Sequence, residues 1–398
     1  MSKDCTIQDV FHRFYSSFES THSISPAQRK AAYHIMNCKT GAFGVNVSVC
    51  EDCGCISVHY NSCRDRCCPM CQEFPKEKWV DARREDILDA PYFHVVFTVP
   101  EELNPIIYSN QKFLYAALYH AASDTLSELA ADSKYLGTDI GYICILHTWG
   151  STMNFHPHIH AIVLGGGLDV KNHWKDNGKD FFLPIKVISK TFRGKYMAEL
   201  KQLWENDRLE FHGSAAPYKN HYTFKELLNT CYAKEWIPYC KKPFDGAESV
   251  IRYLGKYTHR IAISNYRIKD MTESTVTFSA KDYKNQGLWK EITISGEEFI
   301  RRFLMHVPPK RFVRIRHYGL LSCRNKSKKM THCRNLLGCK KYISALKNRS
   351  ATEMIKLLYN IDVCRCSSCG GKMVPHLPDK HTPVSYTHLR AHETRGNL

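Results

Sequence analysis

The amino-acid sequence predicts an α+β protein: one domain on a central antiparallel sheet with flanking helices, preceded by a small cysteine-rich domain. Three observations support this prediction. β-Branched and aromatic segments occur both consecutively and separated by stretches of helical periodicity, as in an antiparallel sheet with helices packed on it. Eight cysteines fall within residues 38–71, ahead of the first such segment. Hydrophobic residues make up 43% of the chain, which is enough for a substantial core.

The predicted elements follow from hydrophobic periodicity and from turn-forming residues. Val10, Phe11 and Phe14 recur at helical spacing, so residues 1–37 are predicted to be helical. Further helices are predicted at 76–90, 110–132, 193–208 and 246–258. Strands are predicted at 92–100, at 140–149 and at 156–168, where a glycine turn closes the strand, and a hairpin is predicted from 274–280 and 289–295.

The chain of 398 residues carries a formal net charge of +17 and has a pI of about 9.1. Such a charge favours a polyanionic partner, because each neutralised phosphate releases counterions. The N-terminal residues contain no apolar run of signal-peptide type, and no stretch approaches the roughly 20 apolar residues of a membrane span. We therefore expect an intracellular protein. In a reducing compartment its 18 cysteines indicate metal binding rather than disulfides.

Two C-x-x-C pairs lie in the cysteine-rich segment, Cys50 with Cys53 and Cys68 with Cys71. Two such knuckles supply the four thiolates of a tetrahedral Zn²⁺ site, and a four-cysteine site has no open position, so it is structural. The alternative is that these are buried cysteines that bind no metal. Eight cysteines in so short a segment disfavour that alternative. The ligand set stays open, and a second zinc site is conceivable, because further candidates lie nearby: Cys38, Cys55, Cys63, Cys67 and His59.

His158 and His160 lie two residues apart on a predicted strand. Alternation along a strand places both imidazoles on one face and Ile159 on the other. Two imidazoles on a rigid strand can hold a divalent metal ion and leave positions open for a substrate. The preferred third ligand is His147, at the end of the neighbouring strand, and His156 is the alternative. Most isolated His-x-His pairs are surface or packing residues, so the pair alone is weak evidence.

Tyr253 and Tyr257 are four residues apart on a predicted helix and therefore share a face, with Lys256 beside them. A phenol with the usual pKa near 10 is a poor nucleophile. It becomes effective when a cation lowers that pKa and a metal ion polarises the phosphorus it attacks. Tyrosine pairs on helices usually serve packing, but the chain order of strand, His-x-His strand and tyrosine helix favours catalysis.

Residues 301–340 contain 12 lysines and arginines and neither aspartate nor glutamate. A run of one charge is either a solvated tail or a phosphate-contacting surface. Interleaved apolar residues such as Phe303, Phe312 and Leu320 argue against a tail, so we predict DNA contact. The predicted contact residues are Arg301, Arg302, Lys310, Arg311, Arg314 and Arg316.

Several of these segments resemble a known family. HIH (158–160) resembles the histidine–hydrophobic–histidine motif of the HUH endonucleases, and YLGKY (253–257) resembles the two-tyrosine form of their tyrosine motif. FHVVFTVP (93–100) resembles their first, strand-forming motif. The wider resemblance, from about residue 30 to about residue 372, is to the rolling-circle transposases of the insertion-sequence-91 family. It includes YNSCRDRCCPMCQ (60–72), HTWGSTMNFHPHIHAIVLGGG (147–167), RYLGKYTHRIAISN (252–265) and PPKRFVRIRHYGLL (308–321).

The resemblance implies a fold and a reaction. An HUH catalytic domain would occupy residues 86–300, between a helical and zinc-binding segment (1–85) and a basic DNA-contacting region (301–372). His158, His160 and a third ligand would hold Mg²⁺ or Mn²⁺. Tyr253 or Tyr257 would attack single-stranded DNA to give a 5′-phosphotyrosine, assisted by Lys256. The partners would be transposon ends and target DNA, and the location would be the prokaryotic cytoplasm, with the nucleoid.

The sequence also departs from the family pattern as we interpret it. Cys67 stands where a histidine is expected before Cys-Pro. CRCSSCGG (364–371) contains a single C-x-x-C, Cys366 with Cys369, which resembles half of a second zinc knuckle without its partner. Residues 373–398 are predicted to be a tail. VSYTHLRAHET (384–394) back-translates into a sequence resembling a transposase-based sequencing-library adapter, so we expect 384–398 to be a cloning or assembly artefact.

Two other functions remain open from the sequence. A plasmid or phage replication initiator, or a relaxase, would use the same chemistry, and the N-terminal zinc domain favours a transposase over both. A zinc-ribbon DNA-binding protein without catalysis would use the histidines and tyrosines structurally and would form no covalent adduct with DNA. A remnant without activity is a third alternative.

Overall fold

The computed structural model describes residues 5–176, 178, 183–236, 238–241, 249–251, 253, 255, 262–282, 287–324 and 326–376. The helices are α1 Ile7–Thr21, α2 Pro26–Asn37, α3 Glu73–Arg84, α4 Asn104–Ser109, α5 Gln111–Ala131, α6 Ile185–Glu205, α7 His221–Ala233, α8 Gly296–Leu304, α9 Lys326–Leu337 and α10 Ala351–Tyr359. The strands are β1 Val45–Cys50, β2 Ile56–Tyr60, β3 Tyr92–Thr98, β4 Asp139–Trp149, β5 Phe155–Leu168, β6 Trp174–Asp176, β7 Tyr239–Lys241, β8 Ile268–Met271, β9 Thr275–Asp282, β10 Leu288–Ser295, β11 Ile315–Gly319 and β12 Met373–His376. This mixture of helices and antiparallel strands confirms the predicted α+β class.

A six-stranded sheet lies at the centre, with the strand order β11-β4-β5-β3-β7 and with β6 paired to β5. All its pairings are antiparallel. Side chains alternate along each strand, so the sheet has two distinct faces. On one face Val95, Cys144 and Ile159 are buried in one cluster with α5 and α6. The opposite face carries apolar residues such as Ile162 and, further along the strands, a group of histidines.

The N-terminal helices α1 and α2 pack with α8 and with a second sheet of order β10-β9-β8. α1 begins at a Thr6 N-cap, whose side chain exchanges hydrogen bonds with Asp9 in a capping box. Its apolar stripe faces α8, where the ring centroids of Phe11 and Phe303 lie 5.2 Å apart in an edge-on arrangement. The helical residues predicted at 1–37 are therefore two helices, separated at residues 22–25.

A third, three-stranded sheet has the order β12-β1-β2 and brings two distant parts of the chain together. β1 and β2 form a hairpin in the cysteine-rich segment, and β12 pairs antiparallel with β1, so that Cys50 lies opposite Met373. Residues 373–376 were predicted to belong to a tail. They form a strand instead, because β1 offers a free edge whose backbone hydrogen bonds β12 satisfies.

Several boundaries differ from the predictions. β5 contains Gly165–Gly167 within the strand rather than in a turn, and the strand pairs there with β6. The glycine at 166 allows this close approach, because a Cβ there would lie 2.5 Å from the Trp174 ring. β11, from the basic segment assigned to the C-terminal region, pairs with β4 at the edge of the central sheet. α3 begins and ends earlier than predicted. Among the described residues, no helix has both the length and the apolar character needed to span a membrane.

Candidate active site and zinc centres

His158 and His160 lie on β5, on the face of the central sheet opposite α5 and α6. Their neighbour Ile159 points the other way, into the cluster that contains those helices. The alternation predicted from the sequence therefore holds. Both imidazoles are buried, with exposed fractions of 9% and 8%.

His147 on β4 joins this pair. It lies directly opposite His158 in the β4–β5 register, and it is 3% exposed. One ring nitrogen from each of His147, His158 and His160 lies within 4.8 Å of the others. His156, the alternative third ligand, is outside this group, and its carbonyl oxygen accepts a hydrogen bond of 2.6 Å from His158 Nδ1.

Burial keeps the imidazoles of His158 and His160 neutral. Burial lowers the pKa of His158 to about 3 and, together with the neighbouring histidines, holds the pKa of His160 well below its usual value. A carbonyl oxygen only accepts, so His158 Nδ1 carries the proton and Nε2 presents a lone pair, 3.0 Å from His160 Nε2. Neutral imidazoles with lone pairs directed at one point are the donors that a divalent metal ion requires. The three histidines therefore fit a metal ion.

Tyr253 lies beside the histidine cluster. The described residues around it, 249–251, 253 and 255, are helical, and Val250 anchors this helix on the histidine-bearing face of the sheet. The Tyr253 hydroxyl is 2.9 Å from His160 Nδ1, the ring nitrogen on the side away from His158. Sequence order alone could not show that the histidines and this tyrosine meet. Lys256 and Tyr257 lie outside the described residues.

His94 lies at the candidate site and was not predicted from the sequence to be there. It lies on β3, and its Nε2 is 2.6 Å from the Tyr253 hydroxyl and 2.9 Å from His160 Nδ1. Its side chain is buried, at 7% exposure. A signal was present: alternation in the predicted strand places His94 on the face opposite Phe93 and Val95, where a polar side chain needs a partner.

The described residues contain two four-cysteine clusters, and the ligands of the first all come from the N-terminal part of the chain. Cys38, at the end of α2, meets Cys63, Cys68 and Cys71, with the four sulfur atoms within 4.8 Å of one another. The Cys63 and Cys71 sulfurs are 3.8 Å apart. Cys67 is outside this cluster and packs in the apolar core, where burial raises its pKa to about 12, so its thiol stays protonated. His59, also a candidate, bonds Ser57 instead.

The second cluster corrects a prediction. Cys50 and Cys53 were expected to share one site with Cys68 and Cys71, but they meet Cys366 and Cys369. The physical reason is the β1–β2 hairpin, which carries the Cys50–Cys53 turn to the strand end beside β12. The C-terminal C-x-x-C therefore has its partner within this chain. Both four-cysteine clusters have the donor set of structural zinc.

The six predicted DNA-contacting residues are in different environments. Arg301 and Arg302 both pair with Glu298, at 2.5 and 2.7 Å. The guanidinium of Arg316 lies 4.0 Å from the ring centroid of Tyr119. The guanidinium of Arg314 lies 5.8 Å from the ring centroid of Trp149. Lys310 and Arg311 are exposed in the loop that precedes β11.

Comparisons with known proteins show two transposase regions in the chain. Residues 10–99 match the family model described as a transposase zinc-binding domain, and residues 141–329 match that described as a putative transposase. The chain is 40% identical over 334 residues to "Putative transposase y4qJ" of Sinorhizobium fredii (strain NBRC 101917 / NGR234), covering 83% of this chain and 84% of that protein. It is 28% identical over 354 residues to the "Transposase for insertion sequence element IS801" of Pseudomonas savastanoi pv. phaseolicola, covering 85% and 81%.

No solved structure matches the chain. The zinc-binding match contains all four cysteines of the first cluster, Cys38, Cys63, Cys68 and Cys71. Of the second cluster it contains Cys50 and Cys53, whereas Cys366 and Cys369 lie far outside it. The transposase match contains all three clustered histidines and Tyr253. With its zinc-binding region, its transposase region and its extended similarity to two bacterial transposases, the chain belongs to the insertion-sequence-91 family of transposases, which act on DNA.

Proposed function

We propose that this transposase cleaves and rejoins single-stranded DNA through a 5′-phosphotyrosine intermediate, in rolling-circle transposition, with Tyr253 as a nucleophile. The observation that carries the proposal is the position of the Tyr253 hydroxyl, 2.9 Å from a ring nitrogen of His160, whose other ring nitrogen faces His158. His160 therefore contacts both the proposed nucleophile and the candidate metal site. A phosphate bound at the metal ion would lie beside the Tyr253 phenol.

His147, His158 and His160 would hold the catalytic metal ion. When bound, the ion would polarise the scissile phosphate and stabilise the charge that develops on it. Of the two ions expected, Mn²⁺ suits three imidazoles better, because Mg²⁺ prefers oxygen ligands and sheds its water reluctantly.

His94 and His160 would orient the phenol. The Tyr253 hydroxyl donates to His94 Nε2 at 2.6 Å, and His160 Nδ1 donates to the phenolic oxygen. In the attack the Tyr253 oxygen forms a bond to phosphorus, and the bond from phosphorus to the 3′-oxygen breaks. The 3′-oxygen leaves with the electron pair and takes a proton from solvent, while the phenol proton passes to His94 Nε2. The phosphotyrosine conserves the phosphodiester energy, so the step needs no ATP.

Tyr257 and Lys256 complete the proposal from the sequence. A second tyrosine can cleave another strand while the first remains linked, which permits strand transfer. The Lys256 ammonium would stabilise the phenolate or the phosphate charge. The exposed cations Lys310 and Arg311 would contact the DNA backbone. Arg301, Arg302, Arg314 and Arg316 would contact it by exchanging their present partners for phosphate.

A covalent-adduct assay tests the proposal. The protein is mixed with labelled single-stranded DNA and Mn²⁺, denatured, and examined for a DNA–protein band on a gel. We expect an adduct with the wild-type chain, a loss of at least about 100-fold with His158→Ala, and no adduct with the double variant Tyr253→Phe/Tyr257→Phe. The single variants show which tyrosine attacks first.

Two matched controls separate chemistry from folding. Tyr222 and His221 are neighbours on α7, outside the histidine cluster, so Tyr222→Phe and His221→Ala should leave the adduct unchanged. A persistent absence of adduct across varied DNA, from folded and zinc-loaded protein, would contradict the proposal and favour a DNA-binding protein without catalysis.

A further inference from the structure

The four sulfur atoms of the second cysteine cluster have nearly the spacing of a metal-thiolate tetrahedron. The Sγ atoms of Cys50 and Cys369 are 3.5 Å apart, those of Cys53 and Cys366 are 3.7 Å apart, and those of Cys53 and Cys369 are 3.3 Å apart. With Zn–S bonds of about 2.3 Å, the edges of a regular tetrahedron measure about 3.8 Å. All four cysteines are free of disulfide bonds.

The two C-x-x-C turns that supply these sulfurs have matching backbones. In the first, Gly54 N–H donates to Cys50 O at 3.0 Å, and Cys50 N–H donates to Cys55 O at 2.9 Å. In the second, Gly370 N–H donates to Cys366 O at 2.9 Å, and Cys366 N–H donates to Gly371 O at 2.8 Å.

The glycine that follows each pair has a positive φ, +69° at Gly54 and +76° at Gly370. Only a residue without Cβ adopts this conformation readily. Two unrelated stretches of sequence therefore form the same turn and direct their thiols to one point, as a built site requires.

Backbone donors also face the sulfurs of the second turn. Ser368 N–H lies 3.4 Å from Cys366 Sγ, and Gly371 N–H lies 3.4 Å from Cys369 Sγ. Such donors stabilise a thiolate rather than a thiol. Cys50 and Cys366 are buried while Cys53 and Cys369 are exposed, so the site lies at the surface with two ligands on its inner side.

We propose that Cys50, Cys53, Cys366 and Cys369 bind a second structural Zn²⁺, which fastens residues 339–376, here called the C-terminal arm, to the N-terminal zinc-binding region. The ligands come from turns more than 300 residues apart, with Cys50 and Cys369 separated by 319 residues. The metal ion thus closes the chain into a loop that contains the whole catalytic sheet.

The course of the C-terminal arm supports this role. Asp81, a buried residue of α3, accepts hydrogen bonds from the Tyr342 hydroxyl at 2.6 Å and from Leu346 N–H at 3.0 Å. The arm then forms α10 and returns through β12 to the edge of β1. α3 also lies against the tyrosine helix, because a Cβ added at Gly255 would lie 3.2 Å from Val80. The zinc ion therefore holds the arm on a helix that supports the active site.

Zinc content measured on the full-length chain tests the proposal. Elemental analysis of protein purified from zinc-supplemented cells should give one zinc ion fewer per chain for Cys366→Ser/Cys369→Ser than for the wild type, whatever metal the histidine site holds. Cys364→Ser is the matched control, an exposed cysteine of the same arm outside the cluster, and it should keep the wild-type zinc content. In the double variant we also expect trypsin to cleave after Lys347 or Lys356 at least about 10-fold faster, because the metal ion no longer holds the C-terminal arm in place.

A conservative variant guards against misfolding. Cys369→His keeps four ligands, so it should retain the second metal ion, and after cobalt substitution its absorption should change from that of four sulfurs to that of three sulfurs and one nitrogen. The proposal is overturned if Cys366→Ser/Cys369→Ser keeps the wild-type zinc content, or if Cys369→His leaves the cobalt spectrum unchanged. Neither readout depends on DNA cleavage, so its failure is distinguishable from a failure of the phosphotyrosine mechanism.

Discussion

Four histidines on one face of the central sheet are buried, and each is placed by the alternation of its strand. His94 lies on β3, His147 on β4, and His158 and His160 on β5. Burying an imidazole disfavours its charged form, so the site is set up as a group of neutral donors before any ligand arrives. At the residue scale the proposed chemistry therefore depends on which ring nitrogens face the candidate metal site and which face Tyr253.

Replacement of His94 tests its role beside the phenol. His94→Phe keeps a ring of similar size and removes the acceptor 2.6 Å from the Tyr253 hydroxyl. We expect the rate of adduct formation to fall by about 10² or more, since a positioned proton acceptor typically contributes that much. The measurement is single-turnover cleavage of labelled single-stranded DNA.

His94→Gln provides the comparison, because its side-chain oxygen can accept a hydrogen bond from the phenol. It should retain more activity than His94→Phe. Equal loss in both variants, together with reduced Mn²⁺ binding in calorimetry, would show that His94 acts by supporting His160 rather than by accepting from Tyr253.

His306 should make the stability of the fold depend on pH. It is buried, its Nε2 donates to Met153 O at 3.0 Å, and its Nδ1 accepts from the Thr148 hydroxyl at 3.0 Å. Burial lowers its pKa to about 4 from a usual value of 6.5. Between pH 6.5 and 4 the unfolded chain takes up a proton at this residue and the folded chain does not, so stability is lost as the pH falls through this range. The difference between the two pKa values corresponds to roughly 3 kcal/mol of stability.

Denaturant unfolding at a series of pH values checks this expectation. His306→Gln should be less stable than the wild type at pH 7, and the difference should shrink as the pH falls from 6.5 to 4. His12→Gln, at an exposed position of α1, is the control. A difference between wild type and His306→Gln that stays constant with pH would show that His306 is not the titrating group.

At the scale of elements, the turn after β11 depends on one glycine. Gly319 has φ of +55°, and a Cβ there would overlap the carbonyl oxygen of Ile140 on β4. The close approach lets β11 pair along its full length with the edge of the central sheet.

Gly319→Ala should therefore lower the free energy of unfolding by about 2–4 kcal/mol, from the unfavourable φ and the displaced backbone. The control is Gly194→Ala, at an exposed position of α6 where an added Cβ meets no atom within 4 Å. There alanine should stabilise the protein by about 0.5–1 kcal/mol, because glycine is unfavourable inside a helix. Both are measured by urea denaturation, and equal effects at the two positions would contradict the explanation.

For the molecule as a whole, the net charge of +17 is consistent with a protein that acts on DNA. The structure distinguishes cations that form ion pairs within the protein from cations whose side chains are exposed to solvent and can bind phosphate. Glu298 pairs with Arg301 and Arg302, and these arginines lower its pKa to about 2, whereas Lys310 and Arg311 are exposed.

The salt dependence of DNA binding should reveal the exposed pair. For single-stranded DNA, each phosphate contact contributes about 0.7 to the slope of log affinity against log salt. Lys310→Ala/Arg311→Ala should reduce that slope by about 1.4, measured by fluorescence anisotropy. Lys201→Ala/Lys225→Ala removes the same charge from α6 and α7 and should change the slope little. Equal reductions in both double variants would mean that the protein binds DNA through its overall charge alone.

Much of the fold and of the candidate site could be predicted locally. The strand containing His158 and His160, the neighbouring strand ending near His147 and the β9–β10 hairpin are visible in side-chain periodicity, because alternation is a property of each strand by itself. For His94, periodicity indicates the face of the strand but not the partner, since its hydrogen bond is to Tyr253, 159 residues away in the sequence.

The cysteines show the same limit. By itself, the sequence determined that the chain has strands with histidines on one face, cysteine knuckles suited to zinc and a strongly basic composition. Only the tertiary structure decided which knuckles meet, since Cys50 and Cys53 lie near Cys68 and Cys71 in the sequence but join Cys366 and Cys369 in the fold. Metal ligands are selected by distance in space, and strand pairing between β1 and β12 sets that distance, which spacing along the chain does not record.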